Sequence, residues 1–324
     1  MKPILADNSA IEYAATLLQQ GRLVAFPTET VYGLGADASN PDAVRRIFAA
    51  KGRPADHPLI VHIADTAGLN DWAQNVPDTA QELAACFWPG PLAIILKKKP
   101  QVPQAVTGGQ HTIALRMPNH PVALKLLQAF GGGIAAPSAN RFCRISPTLA
   151  SHVAEELGDV VDLILDGGSC QVGVESTIVD LSGDQPLLLR PGQISQFEIE
   201  KVLRTKLFSS QQTSNRASGM MAVHYAPVTV ALLCPTDRLQ EMIEQLTAQG
   251  KKLGILAYLQ HIPVNRQTHV IEMPKQADEY AQTLYASLRE LDRLKLDIIL
   301  VEQPPDTERW LAINNRLSKA TLPC

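Results

Sequence analysis

Apolar residues recur at helical spacing through Ile11, Ala14, Ala15 and Leu18, and the run stops at Gly21. Asn8 and Ser9 stand ahead of it as capping residues, so the spacing predicts a helix there. Arg22 to Phe26 then reads as a short buried strand. Asn40-Pro41 opens a second helix with proline at its first position, Val44, Ile47 and Phe48 on its apolar face and Gly52 at its stop. Short apolar runs at 59–63, 92–96, 112–117, 133–136, 161–165, 176–181 and 187–189 read as strands. Helical patterns fall between them at 78–87, 121–130 and 148–157. This alternation predicts a mixed α/β fold around a twisted sheet of at least about six strands.

The pattern breaks at Ser209-Ser210-Gln211-Gln212-Thr213-Ser214-Asn215, which offers no aliphatic side chain to bury and reads as a linker. Beyond it, strands are expected at 228–233, 252–258, 269–273 and 297–301, with helices at 237–248 and 277–294. The expected organisation is therefore a catalytic domain over 1–207, a linker over 208–227 that closes over the site, and a C-terminal Rossmann-like α/β domain over 228–324. That last domain lacks a GxGxxG loop, so no dinucleotide site is expected in it.

Composition narrows the function classes. The 324 residues are 45% hydrophobic and 19% charged, with a formal net charge of −3. A dedicated nucleic-acid binder carries a strong basic field, which this chain lacks. The five cysteines show no CxxC and no Cys/His cluster, so reduced thiols in a cytoplasmic protein are expected. No apolar run reaches the roughly 18 residues that span a membrane, and no signal-peptide pattern is present.

Chemistry-bearing residues gather at the breaks between elements. Pro27-Thr28-Glu29-Thr30-Val31-Tyr32-Gly33-Leu34-Gly35 sets hydroxyls, a carboxylate and glycines beyond a strand end, where open α/β sheets bind ligands. Lys51-Gly52-Arg53 places two cations in a turn that continues to His57 and His62. Taken alone, this reads more readily as a capped helix end than as an anion site. Thr112 and Arg116 bound one strand. Ser138 and Asn140 follow a small-residue strand, ahead of Arg144, Ser146 and Thr148. Ser176 opens another strand, Arg190 closes the next, and His224-Tyr225-Ala226-Pro227 joins linker to second domain. Lys51, Arg53, Arg116 and Arg190, with Arg144 as a further candidate, suit the neutralisation of a polyphosphate. Walker A, Ser-His-Asp and metal-ligand patterns are absent. Positioning and charge neutralisation are therefore expected rather than covalent catalysis.

These motifs occur in the order PTETVYGLG, KGRP, HPLIVHI, FWPGPLAIIL, TIALRMP, APSAN, GVESTIVD, LRPG and HYAP. The set resembles the threonylcarbamoyl-adenylate synthases, with a YrdC-like catalytic domain, in their long two-domain form. The resemblance implies a transferase of the nucleotidyltransferase type that serves tRNA modification. L-threonine, bicarbonate and ATP would give threonylcarbamoyl-AMP and pyrophosphate, and a partner tRNA transferase complex would consume the product. It assigns Thr30, His62, Arg116, Ser138 and Ser176 to L-threonine. Arg53, His57, Thr112, Asn140, Ser146, Thr148, Arg190 and Tyr225 fall to ATP, and Lys51 with Arg53 to catalysis.

No acidic metal-ligand set is evident, so Mg²⁺ is expected to arrive with ATP rather than on protein side chains; no organic cofactor, no membrane partner and little direct tRNA binding are expected. His57 departs from the family's usual Asn, Arg141-Phe142-Cys143 from a smaller turn, and Met221 from a lysine. The rival readings are a non-catalytic RNA-binding module of the same fold and a carbamoyl-transfer enzyme. The acidic balance weighs against the first, and the lack of attached zinc-finger and acylphosphatase-like segments against the second.

Overall fold

The computed structural model describes residues 1–209, 215–217, 219, 221, 224–259, 261–262 and 266–324. Nine of the twenty residues of the expected linker, 208–227, lie outside them. The chain forms two compact units, Met1–Phe142 with Pro147–Met220, and Cys143–Ser146 with Met221–Cys324. Four residues of the N-terminal half thus group with the C-terminal unit.

In the first unit the strands are β1 (Ile4–Leu5), β2 (Val24–Phe26), β3 (Gly33–Asp37), β4 (Ile60–His62), β5 (Leu92–Lys97), β6 (Thr112–Arg116), β7 (Ile134–Ala135), β8 (Leu163–Asp166), β9 (Thr177–Asp180), β10 (Leu187–Arg190) and β11 (Phe208–Ser209). The helices are α1 (Asn8–Gln19), α2 (Pro41–Lys51), α3 (Leu69–Trp72), α4 (Asp78–Phe87), α5 (Gln104–Thr107), α6 (Pro121–Phe130), α7 (Ala150–Leu157) and α8 (Gln196–Leu203). The described strands make one mixed sheet of eleven, in the order β1-β8-β2-β3-β7-β4-β6-β5-β9-β10-β11.

Local chemistry sets the helix ends. The cap of α1 is Asp7, one residue earlier than expected. Its backbone is extended and its carboxylate accepts from Ala10 N at 2.8 Å, whereas Asn8 is already helical. Asn40 caps α2, Pro41 follows, and Gly52 ends it at φ 63°, a left-handed geometry that glycine takes without a Cβ penalty. Helix α7 starts at Ala150 instead of Thr148, because the backbone at Leu149 is still extended. Ser195 and Glu198 close a reciprocal capping box on α8, which the periodicity reading passed over. The segment after Pro27 was expected to be loop, yet β3 emerges from it. Pairing with β2 on one side and β7 on the other buries it despite its glycines.

Strand alternation sorts the sheet's two faces. Val24, Phe26, Ile134 and Ala136 pack with α1 and α6, while Ala25, Val61, Ile113, Leu115 and Ala135 enter the main core on the opposite side. A third, smaller cluster (Ile60, Ala93, Ile95, Ala114, Ile178 and Leu189) is made of strand residues, with Leu187 and Ala217 against it.

The second unit holds β12 (Ala231–Cys234), α9 (Thr236–Ala248), β13 (Leu253–Ala257), β14 (Thr268–Glu272), α10 (Ala277–Arg293), β15 (Ile298–Glu302), α11 (Leu311–Ala320) and β16 (Leu322–Pro323). Its five strands run parallel in the order β14-β13-β15-β12-β16. One expectation fails here. Cys234 and Cys324 form a disulfide, with Cα atoms 5.0 Å apart, so not every cysteine is a free thiol. Neighbouring β12 and β16 bring them together across 90 residues, a distance that hides the pairing in the sequence.

Candidate active site

The period of the strands decides which expected residues meet. Thr112, Ala114 and Arg116 alternate along β6, so they share a face. The register pairs His62 with Arg116, Ile60 and Ile95 with Ala114, and Ala93 with Ile178. Ser176 lies two residues before Ile178. His62, Thr112, Arg116 and Ser176 thus border the small apolar cluster on one face of the sheet.

Arg116 organises one end of this face. It is buried, its Nη1 donates to Thr30 Oγ1 at 3.0 Å, its Nε donates to the Gly90 carbonyl at 3.3 Å, and its Nη2 stands 2.8 Å from Glu29 Oε1. Thr28 and Thr30 share a hydroxyl–hydroxyl bond of 2.8 Å, and Val172 N donates to the Glu29 carbonyl at 2.7 Å, so this segment is pinned. His62 is buried beside Arg116. Burial first, then the neighbouring guanidinium, holds its imidazole neutral, with a pKa pushed down to about 3.

Arg190 clamps the neighbouring strand start. Its Nε donates to the Ser176 carbonyl at 2.9 Å and its Nη2 to Ser176 Oγ at 3.1 Å. Gly192 permits this turn, since a Cβ there would lie 2.3 Å from Thr177 N.

Lys51 and Ser138-Ala139-Asn140, which are 87 residues apart at their nearest contact, are joined directly. Buried Lys51 Nζ donates to the Ser138 carbonyl at 2.6 Å and to the Asn140 carbonyl, and its own carbonyl accepts from Phe142 N at 2.8 Å. The lysine charge is therefore anchored on backbone oxygens, and it fixes the loop that carries Ser138 and Asn140. Arg53 is buried, donates from Nη2 to the Pro58 carbonyl at 3.1 Å and stands 6.0 Å from the centre of the Phe142 ring. The His57 ring meets Phe142 edge-on at 5.6 Å. Burial, then Arg53, pushes the His57 pKa below the ordinary imidazole value.

Beyond Thr112 lies a shallow hollow lined by Pro58, Leu59, Ile95, Gln110, Thr112, Ala114, Ile178, Arg216 and Ala217. Arg216 closes one side. It pairs with Asp56 at 2.5 Å, donates to the Gly108 carbonyl at 3.1 Å, and its amide donates to Gln110 Oε1 at 2.7 Å.

The remaining expected residues make other contacts. Thr148 N donates to His152 Nδ1 at 3.3 Å, and the Thr148 carbonyl accepts from Cys170 N. Ser146 belongs to the second unit, as do Tyr225 and Arg144. Within that unit Tyr225 stacks on Tyr285 at 5.8 Å, with the Arg316 guanidinium 5.4 Å from its ring centre, and Arg144 donates to the Pro227 carbonyl at 3.3 Å. Sequence reasoning gave Glu29 no role and passed over Arg216 and Gln110. The carboxylate beside Thr30 was the available signal for Glu29; the Arg216 contacts, across more than a hundred residues, left none.

Four buried cations of the first unit (Lys51, Arg53, Arg116, Arg190) stand against three buried carboxylates (Glu29, Glu175, Asp180). Such an arrangement suits a small anionic or zwitterionic ligand on a partly apolar surface. Among the described residues no group of three or more His, Cys, Asp or Glu could hold a metal ion, and no helix is long and apolar enough to cross a membrane.

Comparison with known proteins covers both units. Residues 16–192 match the Sua5/YciO/YrdC family model, described as "Telomere recombination", and residues 194–321 match the model described as the C-terminal domain of threonylcarbamoyl-AMP synthase. The chain is 43% identical to the threonylcarbamoyl-AMP synthase of Pyrococcus abyssi, over 96% of this chain and 94% of that one. It is 44% identical to that of Bacillus subtilis, over 97% and 93%. The crystal structure of P. abyssi Sua5 complexed with L-threonine superposes with a TM-score of 0.88 at 42% identity, covering 97% of this chain and 96% of that chain. With both domain models and full-length relatives in agreement, the chain belongs to the threonylcarbamoyl-AMP synthase family.

Proposed function

We propose that the sheet face bearing Arg116, Thr30 and His62 takes L-threonine, that ATP lies toward Lys51, Arg53 and Thr112, and that the product is threonylcarbamoyl-AMP with release of pyrophosphate. The observation that carries this reading is the buried Arg116 guanidinium, hydrogen-bonded to Thr30 on the face that also bears Thr112 and Ser176. A guanidinium fork suits a carboxylate, and neutral His62 beside it adds no second positive charge.

The chemistry follows from positioning. The threonine amine attacks bicarbonate to give a carbamate, and a carbamate oxygen then attacks the α-phosphorus of ATP, which enters as its Mg²⁺ complex. Arg53 and Arg190 offset charge on the leaving pyrophosphate. Lys51 acts by holding Ser138 and Asn140 in place and adds its charge to the same loop. His57, Asn140 and Thr148 would complete the ATP side, and Ser138 the threonine side. Ser146 and Tyr225, carried by the second unit, enter on the family resemblance alone. The labile adenylate passes to a tRNA-modifying transferase, which makes a cytoplasmic location the natural one. The net charge of −3 supports little direct tRNA binding.

A pyrophosphate-release assay tests this reading. Release is expected only when L-threonine, bicarbonate and ATP are all present. Release that is indifferent to threonine would overturn the assignment.

A further inference from the structure

Glu29 has a buried carboxylate that is short of hydrogen-bond donors. It is 4% exposed. Neither carboxylate oxygen receives a hydrogen bond among the described residues. Its one polar contact there is the ion pair with Arg116 Nη2 at 2.8 Å, an electrostatic pairing without hydrogen-bond direction. A buried carboxylate ordinarily gathers two or three donors, and leaving it short of them costs free energy. Its carbonyl accepts from Val172 N, and Thr28 and Thr30 on either side are bonded to one another, so the backbone that carries it is held. The other titratable groups around it are His120, Cys170 and, beyond Arg116, His62. Burial disfavours the charged form of all three. Arg116 and Glu29 are therefore an adjacent buried cation and anion, charge-complementary to the carboxylate and ammonium that an α-amino acid carries on one carbon.

We propose that Glu29 is the receptor for the substrate's ammonium group and the base that frees its amine. This rests on the reading that L-threonine occupies this face. Glu29 accepts one ammonium proton, leaving a neutral amine with its lone pair. That lone pair forms the C–N bond to the bicarbonate carbon, and loss of water leaves the carbamate. The proton on Glu29 passes to solvent before the next turnover. Arg116 meanwhile turns from Glu29 to the substrate carboxylate.

Calorimetry on the full chain tests this with two ligands, L-threonine and its α-hydroxy counterpart, which keeps the carboxylate but has no ammonium. The intact protein should prefer threonine by on the order of 10- to 100-fold, the worth of a charge-assisted hydrogen bond. In Glu29→Gln that preference should collapse to near unity, while turnover falls by roughly 100-fold or more, as expected for loss of a general base. The preference is a ratio taken on one preparation, so a partly folded variant does not distort it. If Glu29→Gln fails to fold, Glu29→Asp carries the test, with threonine affinity falling at least about tenfold and that of the analogue unchanged. A variant that keeps the preference, or one in which both ligands weaken equally, would overturn the role of Glu29 and leave the substrate reading intact. An intact protein that binds neither ligand would overturn the substrate reading itself.

Discussion

Lys51 Nζ donates to the carbonyl oxygen of Ser138 at 2.6 Å, joining the end of α2 to the loop that carries Asn140. A lysine that only lent charge to a ligand would leave the protein's stability untouched when replaced. Here Lys51→Met strips the carbonyls of Ser138 and Asn140 of their shared donor in a buried setting. The expected loss is about 2–4 kcal/mol of unfolding free energy, together with activity. Urea denaturation of the two proteins checks it, and an unchanged midpoint would place Lys51 in a purely electrostatic role.

His57 and Phe142, two positions that the family resemblance sets apart, meet edge-on at 5.6 Å, and the Arg53 guanidinium lies 6.0 Å from the centre of the same phenylalanine ring. The two should therefore be energetically coupled. A double-mutant cycle with His57→Asn and Phe142→Ser is expected to give an interaction of about 0.5–1.5 kcal/mol. Strict additivity would mean that the contact contributes nothing.

His62 gives the stability a defined pH dependence. Its folded pKa, pushed down to about 3, lies below the roughly 6.5 of an unfolded histidine. Between these values the unfolded chain binds a proton that the folded chain refuses, so stability falls as pH falls from about 6.5 towards 3, by about 1.4 kcal/mol per pH unit for this group. His57 and His120 are shifted in the same direction. Replacing His62 with Gln should remove its share and flatten the slope between about pH 6.5 and 5. Parallel slopes in denaturant titrations would show that His62 titrates normally.

Gly192 sits where a Cβ would lie 2.3 Å from Thr177 N and 2.7 Å from the Ser176 carbonyl carbon. Gly192→Ala must push the start of β9 aside and break the clamp of Arg190 on Ser176. A destabilisation of about 1–3 kcal/mol is expected, with a rise in the KM for threonine. Thermal melts and steady-state kinetics read both.

Much of the fold was legible because its elements announce themselves. Helices α2 and α6 carry helical periodicity between clear caps, and strand β5 is an apolar run up to Lys97. Strand β3 was hidden because only Leu34 and Ala36 of its five residues carry apolar side chains, and pairing on both sides buries its glycines. The ordered motifs named the candidate residues. Their mutual contacts depend on sheet register and on long-range hydrogen bonds, which no local pattern encodes. That is why the anchoring of Lys51 on the Ser138 and Asn140 carbonyls went unread, Glu29 received no role, and Cys234 and Cys324 were expected to stay apart.

The most direct test of the assigned chemistry traces labelled atoms. With carbon-labelled bicarbonate, nitrogen-labelled L-threonine and ATP, mass spectrometry should find both labels in a single adenylate, formed in step with pyrophosphate. An adenylate that carries the threonine nitrogen without the bicarbonate carbon, or no adenylate at all, would contradict it.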